Sequence, residues 1–418
     1  PMTQLTRKPV VMLNMQPSSF ETYISLFSGI GGLEHPAFAP LLFCEWDREC
    51  QAVLRNEPRN ATSTIHGDVT QLYDPPKASF VTGGWPCQDI SSAGKQNGLA
   101  GGRSGLFFDM LRVATKAVAH TIIGENVPNL LTLNKGRDFE IVKQTLRDEG
   151  YPYIAWRIVN AREFGLPQDR SRLFIVASKQ PKYAQALHAE IPLAEISAPT
   201  LNVHGFYWTG GKRSICYSSG YVPALKVGGT DNKGRGTVAI FDGLTVRKLT
   251  VSENMRLQGF PTLLDTGLPP STLLRMAGNA VAKPVGQFIV SSVMAAKPPT
   301  GTRTGFSMRA KNGYFDGEIE WAIEHQPSNL ASNLGDFLDQ GSLPPLSAQA
   351  SAGLIVRSVR SGSPMPTELF DTLYRLSLER GGKLQPSRSD SLASFKEMMP
   401  DIMQYRASLE GSLENTNR

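Results

Sequence analysis

The spacing of apolar residues predicts alternating strands and helices over the first 180 residues of the chain. Helices are expected at residues 106–119 and 138–149, where apolar side chains recur three and four positions apart. Strands are expected within residues 23–28, 41–44, 64–69, 78–81, 120–126, 153–160 and 173–177. This alternation predicts an α/β fold built on a doubly wound sheet.

The pattern changes at residue 181. Residues 181–246 are rich in Gly, Ser and Thr, with basic and aromatic residues interleaved, and they predict a small, irregular, mostly β domain with a basic face. Helices return afterwards, because Thr250 and Glu253 form the sequence pattern of a capping box. Further helices are expected near residues 271–277 and over residues 278–296.

The two ends of the chain differ from this central region. Residues 1–21 are polar and predict a flexible arm, and the Pro-, Gly- and Thr-rich residues 299–315 predict a linker. Residues 316–418 predict a helical extension, with helices at 347–360, 368–380 (with Thr367 as N-cap) and 391–409. That extension carries no recognisable catalytic constellation.

Composition narrows the class of protein. The four cysteines have neither metal-binding spacing nor the density of a disulfide framework, so a reduced, cytoplasmic chain without a bound metal is expected. No apolar run approaches the roughly 18 residues of a membrane span. Residues 299–418 carry 12 Lys and Arg against 14 Asp and Glu, which leaves 31 against 23 in residues 1–298. The front part therefore favours a polyanionic partner.

One cysteine stands out. Cys87 follows a predicted strand and two glycines, in the stretch Gly83-Gly84-Trp85-Pro86-Cys87. A cysteine on such a loop is either a nucleophile, through its thiolate, or a small buried apolar side chain. The next residues, up to Gly105, form a long Gly-rich loop with basic side chains, which is typical of a lid.

Three early strands end in residues that suit a nucleoside ligand. A glycine turn, Gly29 to Gly32, follows the first strand, Glu45 and Trp46 follow the second, and Asp68 follows the third. An acid at the end of the second strand can accept hydrogen bonds from ribose, and a tryptophan can stack on adenine. Each feature alone is equally consistent with a tight turn or a surface side chain, but together they favour an adenosyl pocket.

Over residues 22–296 the chain resembles the DNA cytosine-5 methyltransferases of bacterial or phage type. Six blocks carry the resemblance, in the order that the family has them: Leu26-Phe27-Ser28-Gly29-Ile30-Gly31-Gly32, Gly84-Trp85-Pro86-Cys87-Gln88, Glu125-Asn126-Val127, Gln168-Asp169-Arg170-Ser171-Arg172, Arg247 to Pro261, and Gly278-Asn279-Ala280-Val281.

The resemblance implies a Rossmann-like methyltransferase sheet with an inserted target-recognition domain. The implied domains are a catalytic domain in two parts, 22–180 and 247–298, with the recognition domain at 181–246 between them. The last block is expected to pack beside the first glycine turn. Pro36 departs from the family pattern and suggests a shortened or displaced first helix.

The resemblance also implies a mechanism on a cytosine flipped out of duplex DNA. Cys87 is expected to attack carbon 6, Glu125 to hold N3 and the exocyclic amine, and Arg172 to reach O2. Arg170 is counted with the catalytic residues, as one that orders the site together with Gln168.

The methyl donor implied by the resemblance is S-adenosylmethionine. Its expected contacts are Phe27, Ser28, Gly29, Ile30, Gly31, Glu45, Trp46, Asp68, Val69, Pro86, Leu106, Asn279, Ala280 and Val281. DNA contacts are expected at Ser91, Gln96, Arg103, Gln168, Lys212, Arg213, Lys226 and Arg235.

Three functions are compatible with these residues. The first is a sequence-specific DNA cytosine-5 methyltransferase, acting as a monomer on double-stranded DNA in a restriction-modification or phage setting. The second is a tRNA cytosine-5 methyltransferase of the same fold. The third is a catalytically silent nucleic-acid-binding protein, which the presence of Cys87, Glu125 and Arg172 disfavours.

Overall fold

The computed structural model describes residues 21–86, 105–192, 203–208, 215–225, 238–261, 266–306, 310–325, 333–339, 343–362, 364–378 and 391–413. These fall into two compact units, and each is described by itself. The first unit comprises the described parts of Pro1–Phe164, Ser171–Glu195 and Ala280–Leu330. The second comprises those of Gly165–Arg170, Ile196–Asn279 and Ala331–Arg418.

The described strands are β1 (Tyr23–Leu26), β2 (Leu42–Cys44), β3 (Thr64–His66), β4 (Phe80–Gly84), β5 (Thr121–Asn126), β6 (Tyr153–Asn160), β7 (Gln168–Asp169), β8 (Ser171–Ser178), β9 (His204–Trp208), β10 (Ile215–Ser219), β11 (Val222–Pro223), β12 (Val238–Phe241), β13 (Val246–Lys248), β14 (Thr302–Phe306), β15 (Gly313–Phe315) and β16 (Glu320–Glu324). The described α-helices are α1 (Arg48–Asn56), α2 (Leu106–Lys116), α3 (Arg137–Asp148), α4 (Pro181–Gln185), α5 (Val251–Leu257), α6 (Pro270–Asn279), α7 (Lys283–Met294), α8 (Ala348–Ser361), α9 (Thr367–Leu378), α10 (Ser391–Glu397) and α11 (Met399–Leu413). None of these helices is both long and apolar enough to cross a membrane.

The first unit is built on a sheet of ten described strands in the order β14-β16-β15-β6-β8-β5-β4-β1-β2-β3. Strands β3, β2, β1, β4 and β5 run parallel, and the pairs from β5 through β8 to β14 are antiparallel. The strand order reverses between β1 and β4. Ligands of open α/β sheets bind at such a reversal, beyond the carboxyl ends of the strands. The predicted α/β class with a Rossmann-like sheet is confirmed.

Apolar residues of the strands and helices form the core of this unit. Met110 in α2 and Val142 in α3 belong to one buried cluster with Val81, Ile122 and Ile175 of the central strands. Strands β1, β2 and β4 are buried along almost their whole length, which is typical of parallel strands covered on both faces. Both helices begin and end within a few residues of the predicted positions, and Gly150 follows α3 with φ +85°, as a helix-ending glycine does.

The segment after the first glycine turn contains no helix. Residues 29–41 run as turns and bends, and the first helix, α1, begins only at Arg48, with Asp47 as its N-cap. The hydroxyl of Tyr23 accepts a hydrogen bond from the backbone of His35 (3.1 Å) and donates one to Phe38 O (3.2 Å), which ties this segment to β1. Pro36 suggested a shortened or displaced first helix; instead, no helix forms between β1 and β2, and α1 follows β2.

The predicted linker at 299–315 is wrong for the described residues. Strands β14 and β15 lie in this range, and β15 pairs with β6. Trp156 of β6 lies against Gly313, where an added Cβ would be 2.1 Å from Cζ2 of the indole, and its Nε1 donates to Ala310 O (2.9 Å). Because β15 covers the edge of β6, these residues complete the sheet rather than separate domains. Strand β16 also corrects the purely helical extension expected from residue 316.

The second unit contains a sheet of four described strands in the order β10-β9-β12-β13, a short β7–β11 pair, and the helices α5, α6 and α8 to α11. The capping box at Thr250 and Glu253 is confirmed. Helix α4, expected in the recognition domain, belongs to the first unit, whereas α5 and α6, expected in the catalytic domain, belong to the second. Packing explains why α5 belongs to the second unit, because its Leu257 shares an apolar cluster with Val222 and Ile240.

Candidate active site

The turn after β1 has an unusual backbone. Phe27, Gly29 and Gly31 all have positive φ, at +52°, +53° and +90°. A non-glycine residue such as Phe27 rarely adopts this conformation, and strain of this kind clusters at ligand-binding sites. The turn is held by backbone bonds from Ser28 N to Cys44 O (3.3 Å) and from Gly31 N to Ser28 O (3.0 Å). The predicted turn therefore forms at the carboxyl end of β1.

Glu45 binds the glycine turn directly. Its Oε2 accepts a hydrogen bond from Gly29 N at 2.7 Å, and its Oε1 accepts one from Asp47 N at 2.8 Å. The carboxylate thus fixes the end of β2 against the turn after β1. Each carboxylate oxygen has two lone pairs, so the predicted ribose contact is compatible with these bonds and stays a prediction.

The next two predicted cofactor residues follow β2 and β3. The indole of Trp46 is 76% exposed, which is rare for this residue type and leaves an aromatic face accessible. Asp68 Oδ1 accepts hydrogen bonds from Thr70 N (2.9 Å) and Thr70 Oγ1 (2.8 Å), while Val69 is buried. Strands β2 and β3 are parallel neighbours, so Trp46 and Asp68, which follow them, lie at the same edge of the sheet.

The residues after α6 pack against the glycine turn, as predicted. A Cβ added to Gly32 would lie 2.4 Å from Val281 O, and one added to Gly286 would lie 2.0 Å from Gly32 O. Only glycine at both positions permits this approach. Ala280 is buried and Val281 is half-buried. Asn279 is exposed and belongs to the second unit, so its predicted contact with the cofactor stays a prediction.

A buried carboxyl behind the turn has no role in the sequence analysis. Glu34 is 3% exposed, and its Oε1 accepts a hydrogen bond from Ser25 Oγ at 2.9 Å. The same Ser25 hydroxyl lies 3.0 Å from Ser28 Oγ, within the glycine turn. Burial raises the pKa of Glu34 to about 7, against the opposing effect of Ser25, Arg59 and Lys283. In the sequence, Glu34 is distinguished only by its place in Glu34-His35-Pro36, the stretch that departs from the family pattern.

The end of β4 is held close to β5. Gly124 has no Cβ, and an added one would lie 2.4 Å from Cζ3 of Trp85, so the indole packs directly on β5. Asn126 Nδ2 donates to Trp85 O (3.0 Å), and its Oδ1 accepts from Val127 N (2.8 Å). Asn126 thereby positions the chain just before Pro86, a role that sequence reasoning missed.

Glu125 and Arg172 form an ion pair at this end of the sheet. Arg172 Nε lies 3.0 Å from Glu125 Oε1, and its Nη1 donates to Ser171 O at 2.8 Å. A Cβ at Gly84 would lie 2.7 Å from Glu125 Oε2, so this glycine leaves room for the carboxylate. Burial lowers the pKa of Arg172, and Glu125 opposes that shift. The two predicted catalytic residues are thus brought together.

Gln168 and Arg170 have structural contacts instead. Gln168 is fully buried, its amide nitrogen donates to Leu257 O (2.9 Å), and its amide oxygen accepts from Leu225 N (3.0 Å). The predicted DNA contact of Gln168 is therefore wrong for this structure. Arg170 is also buried and donates to Leu225 O (3.0 Å) and Gly278 O (3.1 Å). Both residues fit the ordering role, and Arg170 is a positioning residue rather than one that touches the base.

Of the remaining predicted contacts, Ser28 and Ile30 are buried, Pro86 is exposed, and Leu106 is a half-buried first residue of α2. Predicted site residues that lie outside the described residues are Cys87, Ser91, Gln96, Arg103, Lys212, Arg213, Lys226 and Arg235.

A Rossmann-like sheet with a strained glycine turn, an exposed tryptophan and an acid–arginine pair has the features of a nucleotide-binding α/β enzyme. Comparison with protein families matches residues 22–205 and 202–295 to "C-5 cytosine-specific DNA methylase". The chain belongs to this family and is a DNA cytosine-5 methyltransferase.

Curated relatives agree with this assignment. The type II methyltransferase M2.BsuMI of Bacillus subtilis (strain 168) is 32% identical over 373 residues, covering 81% of this chain and 93% of the relative. M.NgoBI of Neisseria gonorrhoeae is 31% identical over 294 residues, covering 63% and 89%. M.HaeII of Haemophilus aegyptius is 30% identical over 308 residues, covering 65% and 92%. The family description favours DNA over tRNA as the substrate.

Proposed function

We propose that this chain methylates carbon 5 of a cytosine within a short DNA sequence, with Cys87 as the nucleophile. The observation that carries the proposal is the Glu125–Arg172 pair at the carboxyl end of β5. Glu125 lies opposite Gly84 in the parallel β4–β5 register, and the chain continues from there through Trp85 and Pro86 to Cys87. The acid therefore comes from β5, the cation from the neighbouring β8, and the nucleophile from the chain that follows the neighbouring β4.

The target cytosine must leave the base stack, because its ring atoms are inaccessible inside a duplex. The Cys87 thiolate forms a bond to carbon 6, and the electron pair of the 5,6 double bond moves toward carbon 5 and the N3–O2 side of the ring. A proton taken up from solvent lies between Glu125 and N3, so Glu125 holds N3 and also accepts a hydrogen bond from the exocyclic amine. Arg172 stabilises charge at O2, since a guanidinium has more N–H donors than its two described bonds use.

Carbon 5 then forms the new bond to the methyl group. Solvent water then takes the proton from carbon 5, the electron pair of that bond restores the 5,6 double bond, and the bond from carbon 6 to sulfur breaks to release the Cys87 thiolate. S-adenosylmethionine, the donor that the family resemblance implies, would supply this methyl group from its sulfonium and would leave as the neutral thioether.

The residues around the glycine turn fit that donor. The positive-φ turn at Phe27 and Gly29 lies at the reversal of strand order between β1 and β4, and the exposed indole of Trp46 offers a stacking surface. We assign the ribose to Glu45, the adenine amine to Asp68 and the sulfonium region to Phe27. Recognition of a particular sequence by residues 181–246, action as a monomer and a cytoplasmic, nucleoid-associated location are further parts of this proposal.

The experiment that tests the proposal uses duplex DNA in which the target cytosine is replaced by 5-fluorocytosine. Fluorine cannot leave carbon 5 as a cation, so the bond between Cys87 and carbon 6 persists after methyl transfer. We expect a covalent protein–DNA complex on denaturing gels with the unaltered protein and none with Cys87→Ala.

Cys50→Ala is the matched control, because it makes the same change at a buried cysteine of α1. It should form the complex in normal yield. Complex formation by Cys87→Ala would remove Cys87 from the mechanism, and methylation of tRNA but not of DNA by the unaltered protein would contradict the assigned substrate.

A further inference from the structure

Strand β12 is buried on both faces. Its four residues, Val238 to Phe241, are between 0% and 5% exposed. Side chains alternate across a strand, and here the alternation separates two apolar clusters. Val238 and Ile240 belong to one cluster with Leu257 of α5, whereas Ala239 and Phe241 belong to another. The sheet of the second unit is therefore the middle layer of three.

The C-terminal helices provide the third layer. The cluster that contains Phe241 also includes Phe206 of β9 and Val246 of β13, and each of these is at most 3% exposed. Its other members come from residues 346–409, among them Leu369 and Phe370 of α9, both fully buried. The match to the family ends at residue 295, so these C-terminal residues lie outside it. The described residues of β9, β12 and β13 nevertheless share one core with them.

Polar contacts reinforce this packing. Leu346 N donates to Val246 O at 2.7 Å, and Arg375 Nη2 donates to Leu244 O at 2.6 Å, in the turn between β12 and β13. Burial lowers the pKa of His204 in β9, and the carboxylate of Glu368, in the first turn of α9, opposes that shift. Helix α9 is therefore held against the β10-β9-β12-β13 sheet, which we call the recognition sheet, by the shared apolar cluster and by the Arg375 hydrogen bond.

We propose that the C-terminal helices α8 to α11 support the recognition sheet and thereby help determine which DNA sequence is methylated. This inference rests on the proposed function, since it assumes that the sheet belongs to the target-recognition domain. The helices act as positioning elements and are not assigned a contact with DNA.

The recognition sheet can influence sequence specificity because its strands flank the two segments that contain Arg213 and Arg235. Strands β9 and β10 flank residues 209–214, which include Arg213, and strands β11 and β12 flank residues 226–237, which include Arg235. An arginine discriminates guanine only when its fork meets O6 and N7 in hydrogen-bonding geometry. Removing the support would uncover Phe206, Phe241 and Val246, and the strands that carry both segments would lose their fixed positions.

A matched pair of cavity variants tests this inference in the full-length chain. Leu369→Ala lies in α9, which packs on β13, and Leu409→Ala lies in α11, which packs on α8 and α9. Both remove the same side-chain atoms from the same buried cluster. Each protein methylates a library of random DNA sites, which is then read by bisulfite sequencing. Dissociation constants for S-adenosylmethionine are measured in parallel.

We expect Leu369→Ala to lower discrimination between the preferred site and its single-base variants by about tenfold, the size of one weakened base contact. Leu409→Ala should keep the preferred site, and so should Leu369→Met, which conserves the side-chain volume that Leu369→Ala removes. Cofactor affinity should stay within about twofold in all three variants. Arg375→Ala, whose side chain is exposed, provides a variant that keeps the core and should relax discrimination more weakly.

Unchanged discrimination in both Leu369→Ala and Arg375→Ala would overturn the inference and leave the helices with a role in stability alone. Equal relaxation in Leu369→Ala and Leu409→Ala would also overturn it, since general destabilisation would then explain the effect. Failure of the unaltered protein to methylate DNA cytosine at any site would instead reject the proposed function.

Discussion

The guanidinium of Arg172 and the carboxylate of Glu125 form an ion pair, with 3.0 Å between Nε and Oε1. The residues come from adjacent antiparallel strands, but they are not opposite each other, since Glu125 faces Phe174 in the register. They are diagonal neighbours, a separation that long side chains span. The pair is preorganised before any base arrives, which is the arrangement that stabilises developing charge most effectively.

Glu125→Gln should lower kcat for DNA methylation by about 10²–10³-fold, the usual cost of removing one group aimed at transition-state charge. Cofactor affinity should change little, because the side chain lies at the end of β5 and not at the glycine turn. The measurements are transfer of labelled methyl groups to duplex DNA and calorimetry with the cofactor. Asp109→Asn, which breaks a half-buried acid–arginine pair in α2 (3.0 Å), should leave kcat nearly unchanged.

The double variant Glu125→Gln with Arg172→Ala gives a stricter test. Residues that act as one unit show strongly non-additive effects, so the double variant should be only slightly slower than the slower single variant. Fully multiplicative losses would show that the two side chains act separately and that the ion pair is incidental to catalysis.

Gly84→Ala should reduce methylation by at least about tenfold while the protein remains folded. The added Cβ would lie 2.7 Å from Glu125 Oε2, so the carboxylate must move, and small displacements of catalytic groups are costly. The matched control is Gly67→Ala, whose Cβ would meet its nearest atom, Gln51 Nε2, at an ordinary 3.7 Å. Methylation rates and circular dichroism of both variants check the prediction, and equal rates would contradict it.

Much of the fold follows from local sequence. Strand β6 has the predicted bounds, and Thr250 caps α5 as its spacing with Glu253 indicates, because both depend on neighbouring residues. Strand β15 could not be predicted in this way. It forms because Gly313 fits beneath Trp156, a residue more than 150 positions away, and long-range pairing overrides the turn-like composition of its segment.

The site shows the same division. The glycine turn and the acids after β2 and β3 could be predicted, because parallel strands deliver their carboxyl ends to one edge. The proximity of Glu125 and Arg172 came only from the family resemblance. The burial of Gln168 was not predictable, because its polar side chain gives no local sign that Leu225 and Leu257 provide main-chain partners for its amide.

Glu34 should make the stability of the protein depend on pH. Burial raises the pKa of its carboxyl from 4.5 to about 7 in the folded chain. The folded state therefore binds a proton that the unfolded state releases, and this stabilisation is complete below about pH 4.5 and lost as pH rises through 7. At about 1.4 kcal/mol per pKa unit, the loss is on the order of 3 kcal/mol.

Thermal unfolding of the unaltered protein and of Glu34→Gln between pH 5 and pH 8.5, with no cofactor present, measures this effect. The glutamine variant keeps the shape and cannot ionise, so its Tm should fall less over this range than that of the unaltered protein. The charged groups that face Glu34, Arg59 and Lys283, are unchanged in both proteins. Parallel pH profiles for the two would show that Glu34 stays ionised when folded.

Trp46→Ala and Asp68→Ala should each weaken binding of S-adenosylmethionine by about 1–3 kcal/mol, through loss of a stacking surface and of a hydrogen bond respectively. The 76% exposure of Trp46 argues that truncation will not disturb the core. Tyr73→Ala is the control, since Tyr73 is also an exposed aromatic residue, at 63%. Calorimetry with the purified proteins decides the matter, and unchanged dissociation constants would place the pocket elsewhere.

Arg213 and Arg235 are the residues predicted to read the sequence that flanks the target cytosine. Lysines and arginines on phosphates position a protein, whereas sequence is read at base edges, and an arginine fork on guanine contributes about 1–3 kcal/mol of discrimination. We expect Arg213→Ala or Arg235→Ala to relax or shift the methylated sequence, as measured by bisulfite sequencing of a random-site library.

Salt dependence distinguishes this role from a phosphate contact. Loss of a phosphate contact weakens binding about equally for all sequences and lowers the dependence of affinity on salt by roughly one charge. A variant that has lost a base contact instead changes the ranking of sites. Arg213 and Arg235 both lie outside the described residues, so the assignment depends on the methylated sequences and on the salt dependence of binding. If both variants methylate the same sequence as the unaltered protein, even at lower rates, the two arginines are phosphate contacts or surface charges.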